Sequence, residues 1–193
     1  MMPLSFSMLT ICGLEELTLH GSRGVTHILS ILDPGHPEPE AFLAYSQHHR
    51  AVLRFHDAIA PAPNIMLPER EHVKAILDFG QSLAQSAGTT GGHLLVHCHA
   101  GISRSTAAMA TLMAQVAPDR DEEAVFDHLI NIRPKAWPNS RMIAFADELL
   151  ARNGRFAAPL GKLYRRQLAA YPHIRDFMME NGRAHEVRLA DAA

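Results

Sequence analysis

The stretch Leu94-Leu95-Val96-His97-Cys98-His99-Ala100-Gly101-Ile102-Ser103-Arg104-Ser105 decides how this chain folds. Its apolar start reads as a buried strand, its middle as a tight loop, and the small residues from Thr106 onward as a helix. A loop in that position turns successive backbone N–H groups inward, and the positive end of the following helix adds to their field. An anion cradled by His99, Ala100, Gly101, Ile102, Ser103 and Arg104 sits directly above the sulfur of Cys98. Gly101 permits backbone angles or close approaches that a Cβ would forbid. Arg104 suits phosphate because its planar fork donates two parallel hydrogen bonds. His97, at the strand end, is placed to orient the loop by hydrogen bonding, and Ser105 to donate to a thiolate.

A cysteine attacks only as thiolate, whereas a free thiol has a pKa of about 8.5. Lowering such a value by ~3 units takes about 4 kcal/mol. A helix dipole supplies ~0.3–1 kcal/mol, and about 2 at most. The dipole alone therefore falls short, and the inward N–H donors, the Arg104 guanidinium and the Ser105 hydroxyl must supply the remainder. The bland alternative is a buried structural thiol, which lone cysteines commonly are. A zinc site built on His97, Cys98 and His99 is a weaker rival, because adjacent strand residues point to opposite faces and no second ligand pair stands at a defined spacing.

The segment matches Cys-x5-Arg-Ser/Thr and resembles the signature of the protein tyrosine phosphatase superfamily. Its wording, HCHAGISRST, is most similar to the dual-specificity branch. The likeness continues in Gly24-Val25-Thr26-His27-Ile28-Leu29-Ser30, similar to an early strand of that branch. It extends to Arg133-Pro134-Lys135-Ala136-Trp137-Pro138-Asn139, similar to its Arg-Pro-x-x-x-Pro-Asn turn. Together these cover roughly Ser5 to Arg152; the C-terminal residues beyond resemble nothing in the family, so no role is assigned to them. The resemblance implies a phosphatase that needs no metal or other cofactor, with Cys98 as nucleophile, Arg104 and the loop as the phosphate cradle, and Ser105 assisting the thiolate. Asn139 is expected to order the site floor or to cap a helix.

With 193 residues, 47% of them apolar, the chain suffices for one core and is short for two. One domain is expected over residues 1–193, with its core at about 5–152 and a helical extension at about 157–193. A formal charge of −2 gives no global field for nucleic acid or an anionic membrane. Two cysteines, Cys12 and Cys98, build no disulfide framework and fit a reducing compartment. They pair under oxidation only if the fold brings them close. No basic leader or cleavage site opens the chain, and no apolar run approaches the ~20 residues that cross a bilayer, so a cytoplasmic protein is expected.

Along the chain, strands are expected at Ser5–Ile11, Val25–Leu32, Ala51–Phe55 and His93–Val96. Helices are expected at Leu14–His20, Glu40–His49, from Pro68 to the Gly88–Gly92 run, Ser103–Val116, Asp121–Ile132 and Asn139–Arg152, with further helical character from Pro159. His93 and His99 read as surface or loop histidines. The alternation indicates an α/β fold with a single central, mostly parallel sheet of about 4–5 strands flanked by helices.

Cleavage of a phosphate ester leaves an alkoxide or phenoxide, and a neutral carboxylic acid near the leaving oxygen avoids that charge. Asp57 is the candidate. It follows a strand and opens the Pro-rich loop before the helix leading to Cys98, where the family carries its acid. Asp33, in a turn, is the rival, with turn formation as its plainer reading. The expected reaction is hydrolysis of a phosphomonoester through a phosphocysteine. Phosphotyrosine, and phosphoserine or phosphothreonine where the pocket is shallow, are the substrates in proteins. A small phosphomonoester, a phosphoinositide or an RNA 5′-phosphate stand as alternatives, as does a phosphate-recognition module without turnover. The oligomeric state is left open.

Overall fold

The computed structural model describes residues 6–86 and 92–193. Four strands, β1 (Phe6–Cys12), β2 (His27–Leu32), β3 (His49–Arg54) and β4 (Gly92–His97), form one sheet in the order β1-β4-β2-β3. All three pairings are parallel. In β2, Ile28 to Leu32 are all buried, as are His93 to His97 in β4. Strands covered on both faces need near-continuous apolar runs, which Ile28-Leu29-Ser30-Ile31-Leu32 and Leu94-Leu95-Val96 supply. Helices cover the sheet: α1 (Arg70–Ser86), α2 (Arg104–Val116), α3 (Glu122–Ile132), α4 (Ser140–Leu149), α5 (Ala157–Ala170), α6 (Ile174–Glu180) and α7 (Ala184–Ala192). Helix α2 is buried from Arg104 through Ala114 and packs against α1, α3 and α4. Its alanines allow that close approach.

A parallel sheet delivers the C-terminal ends of all its strands to one edge. Here Gly13 and Glu16 follow β1, Asp33 follows β2, Asp57 follows β3, and Cys98 follows β4. Residues far apart in the chain thereby meet around the end of β4.

The expected α/β architecture with a parallel sheet is the one observed. Several boundaries differ. Leu14–His20 is a 3₁₀ turn instead of an α-helix, and in the 40–49 segment only Glu40–Ala44 is helical, again 3₁₀, before β3 begins at His49. Phe42 and Tyr45 there pack over the smaller core patch of Cys12, Leu17, Val25, Ile28 and Leu95, and the Tyr45 hydroxyl donates to the Leu17 carbonyl at 2.6 Å. Those tertiary contacts outweigh local helix preference. Strand β2 starts at His27, not Val25, and α4 ends at Leu149, not Arg152. The glycine run expected to end α1 lies mostly outside the described residues. The C-terminal extension is three helices, and Leu160, Leu163, Tyr164, Leu168, Met178 and Val187 join the main core.

Arg152 fastens this packing. It is 3% exposed and donates to the carbonyls of Pro118 (2.7 Å) and Ala114 (2.8 Å) and to the Glu122 carboxylate (3.0 Å). The end of α4 is thus tied to the end of α2 and the start of α3. Removing one partner of a buried ion pair leaves the other charge uncompensated. Arg155, 3.3 Å from Glu122, covers part of that loss. Arg152→Met is expected to cost about 3 kcal/mol, lowering the urea midpoint by about 1–2 M, which equilibrium unfolding measures.

Candidate active site

In the loop after Cys98 the carbonyls of His99 to Ser103 are turned outward, each held by a donor elsewhere in the chain. Leu14 N–H donates to His99 O (2.9 Å). Arg133 donates from Nη2 to Ala100 O (3.0 Å) and from Nε to Gly101 O (2.9 Å). Trp137 N–H donates to Ile102 O (2.8 Å), and Asn139 N–H reaches Ser103 O (3.4 Å). The Thr106 hydroxyl donates to Ile102 O at 2.5 Å and to Ser103 O at 2.9 Å. Among the described residues, no protein acceptor takes the N–H groups of His99 to Ser103. Carbonyls out and amides in is the arrangement of an anion-binding nest. Gly101 makes the turn with φ +68°, and a Cβ there would fall 2.4 Å from the carbonyl carbon of Cys12. Only glycine meets both demands.

Cys98 is 2% exposed, and its Sγ lies 3.2 Å from the Ser105 hydroxyl. Arg104, 3% exposed, donates from Nη1 to Asp33 (2.5 Å) and to the Phe55 carbonyl (2.6 Å). Its Nε is buried and has no partner among the described residues. A buried guanidinium N–H without an acceptor is costly, and an oxyanion in the nest is the kind of group that would satisfy it.

Asp57 stands over the same loop. Its Oδ1 accepts from Ser103 Oγ (2.7 Å), Asn139 Nδ2 (3.0 Å) and Arg183 Nη2. His56 pinches the neck of the loop that Asp57 opens: its N–H donates to Met66 O (2.8 Å), and its ring accepts from Met66 N–H (2.9 Å). Asn139 also caps α4, its Oδ1 accepting from Met142 N–H at 3.1 Å. Asp33 reaches the loop from the other side, through Arg104 and through His99, whose Nε2 accepts from the Asp33 N–H (3.2 Å).

The eight residues from Cys98 to Ser105 and Asp57 therefore lie together in one constellation, with His97 and Asn139 beside it. His97 is fully buried, with Nε2 2.6 Å from the Ser30 hydroxyl. His93 is a correction. It is buried at 4% exposure instead of lying on the surface, bonding the Thr10 hydroxyl (2.8 Å) and the Arg23 carbonyl (3.1 Å). Cys12 and Cys98 are both buried and unpaired. Burial, then the Glu16 carboxylate, pushes the Cys12 thiol up to about 12, so Cys12 stays protonated.

Three contributors escaped the sequence reading. Arg133 reads in the sequence only as part of a turn, yet its guanidinium also holds the Glu16 carboxylate at 2.8 and 2.9 Å. That fork keeps Glu16 below the ordinary carboxylate range. Arg183 and Glu186 come from the extension to which no role was given. Arg183 also donates to Ser103 Oγ (2.9 Å) and to Glu186 (3.0 Å). Glu186 is fully buried and accepts from Trp137 Nε1 (2.5 Å) and Ser140 N–H (2.9 Å). The one signal of this in the sequence, a cation and an acid three residues apart on a helix, is the ordinary pattern of a solvated face.

Burial lowers the His97 pKa from 6.5 to about 4. The unfolded chain binds that proton near pH 6.5 and the folded chain only near 4, so stability is full above 6.5 and falls as the pH drops toward 4. The loss from this residue is about 3 kcal/mol. His97→Gln is expected to flatten that part of the stability–pH curve, measured by urea unfolding of both proteins at pH 7, 5.5 and 4.5.

No protein-family model and no curated protein matches the chain. Solved structures do match it in fold. Human DUSP28 superposes with a TM-score of 0.54 at 17% identity, over 75% of this chain and 94% of that one. DUSP15 gives 0.53 at 24% identity, over 86% and 94%. The human tyrosine phosphatase-like serine/threonine/tyrosine-interacting protein gives 0.51 at 21%, over 74% and 87%. The likeness is one of architecture, and this chain has the fold of the dual-specificity phosphatases.

Proposed function

We propose that this chain is a cysteine-dependent phosphatase that hydrolyses phosphomonoesters. Phosphotyrosine, and phosphoserine or phosphothreonine of proteins, are the substrates its resemblance implies. The observation that carries this reading is the empty-handed inner face of the Cys98 loop. Every carbonyl from His99 to Ser103 is held outward, and the buried Arg104 Nε lacks an acceptor among the described residues. A phosphoryl group fits that donor set, and its phosphorus then faces the sulfur.

In the first step the Cys98 thiolate forms an S–P bond as the P–O bond to the leaving group breaks. Asp57 gives its proton to the departing oxygen. The loop amides and Arg104 stabilise the charge on the equatorial oxygens, in a site where fixed dipoles act without reorganisation. In the second step Asp57 takes a proton from water, the water oxygen bonds to phosphorus, and the S–P bond breaks. The Ser105 hydroxyl, 3.2 Å from Sγ, donates to the departing thiolate. This is covalent catalysis by an activated nucleophile. Asp57 is preferred to Asp33 as the acid because Asp33 is engaged with the Arg104 guanidinium itself. A proton on Asp33 would weaken the group that must hold phosphate.

One of the structural neighbours is named as phosphatase-like and as an interacting protein. Here Cys98, Arg104 and an acid stand together, which favours turnover over recognition alone. Turnover of p-nitrophenyl phosphate in EDTA is expected and should vanish in Cys98→Ser. A Cys98→Ser protein as active as the parent, or a parent that binds phosphopeptide without releasing phosphate, would refute the reading. Asp57→Ala should lower kcat about 10²–10³-fold for phosphotyrosine. An unchanged rate there, with loss in Asp33→Ala, would move the acid to Asp33.

A further inference from the structure

The C-terminal extension reaches the reaction centre through one side chain. Arg183, immediately before α7, is 6% exposed. Its Nη2 donates to Asp57 Oδ1 and to Ser103 Oγ (2.9 Å), and its Nη1 to Glu186 (3.0 Å). It therefore bridges the acid loop, the Cys98 loop and the floor of the extension.

The anchorage behind it is firm. Glu186 holds Trp137 Nε1, Ser140 N–H and Arg183 at once, and Tyr164 donates to it at 3.3 Å. The Tyr164 hydroxyl also donates to the Pro138 carbonyl, and its ring stacks on Trp137 at 4.5 Å. Burial, then Glu186, holds the Tyr164 hydroxyl well above its ordinary pKa, so it remains a donor. Burial works against the charge on Arg183, yet Asp57 and Glu186 outweigh it and raise its pKa further.

All three donors to Asp57, Ser103, Asn139 and Arg183, converge on Oδ1. Among the described residues none reaches Oδ2. A carboxyl group with one oxygen accepting three hydrogen bonds keeps the other free to carry its proton.

Building on the phosphatase reading above, we propose that Arg183 is a positioning residue for the acid. It holds Oδ1 of Asp57 against the Cys98 loop, so that Oδ2 carries the proton that goes to the leaving oxygen and later receives one from water. The extension is thereby part of the catalytic apparatus through Asp57, without touching the phosphoryl group.

Leaving-group chemistry separates this role from a structural one. Phenyl phosphate expels a strongly basic phenoxide and needs the acid, whereas 2,4-dinitrophenyl phosphate expels an anion stable without a proton. Arg183→Met is expected to lower kcat/KM, which reports the steps up to formation of the phosphocysteine, about 10–100-fold on the first ester, a fraction of what general acid catalysis contributes, and to leave kcat/KM on the second nearly unchanged. Arg183→Lys should recover most of the loss. In an Asp57→Ala background, Arg183→Met should cost no further activity on either ester. Because Arg183→Met strands the buried Glu186, the same comparison is made with Arg183→Met paired with Glu186→Gln. Equal losses on both esters, or a loss that persists without Asp57, would overturn the positioning role. A parent protein without Cys98-dependent turnover of 2,4-dinitrophenyl phosphate would instead overturn the phosphatase reading itself.

Discussion

A loop can point its amides at one centre only if its carbonyls point away from it, and each of those carbonyls then needs a donor. That constraint organises much of this structure. The donors for residues 99–103 come from the end of β1, from the Arg133–Asn139 turn and from the start of α2. Cys12 sits so close beneath Gly101 that a single Cβ has no room. The Arg133 guanidinium is in turn held by Glu16, whose other oxygen contact is the Gly13 N–H at 2.6 Å. The nest is thus held in shape by bonds within the chain itself.

What could be read from the residues follows from the range of the interactions. The strand, loop and helix around Cys98 are local, and so are the apolar runs of β2 and β4; the sequence pattern resolves them. Asp57 stands out as a candidate because a strand followed by a Pro-rich loop is also a local signal. Arg133 sat in a recognisable turn, but its hydrogen bonds cross more than thirty residues to the loop and further to Glu16. His93 looks like any polar residue near a glycine run until β1 brings Thr10 beside it. Residues 40–49 have helical composition, yet Phe42 and Tyr45 are drawn onto the patch beside β1 and only one 3₁₀ stretch forms. In each case a partner remote in the chain decides the outcome, and composition carries no record of that partner.

The two candidate acids illustrate how placement divides labour between like residues. Asp33 and Asp57 both end strands of one parallel sheet and both reach the Cys98 loop. Asp33 meets the guanidinium of Arg104 directly, the group that on the proposed reading binds phosphate. Asp57 meets the loop through the neutral Ser103 and Asn139 side chains, and its one cation, Arg183, stands outside the nest. Asp33 and Arg104 hold each other in place. On the proposed reading the two carboxylates divide the work: Asp33 partners Arg104, and Asp57 moves the proton.

This division also explains why the extension belongs against the core. Asp57 lies on a loop rich in proline and alanine, and its carboxyl group is placed by polar contacts. His56 closes its neck, but among the described residues no side chain of β3 or α1 bonds the carboxyl itself. The contacts that do come from Ser103 and Asn139, which belong to the nest, and from Arg183, which belongs to the extension. Arg183 is fixed because Glu186 is fixed, and Glu186 is fixed because Trp137, Ser140 and Tyr164 surround it. Trp137 supplies the link back: its indole holds Glu186 while its own backbone N–H holds the Ile102 carbonyl. One residue thus ties the cradle for the anion and the support of the acid into a single frame, so that displacing either displaces both.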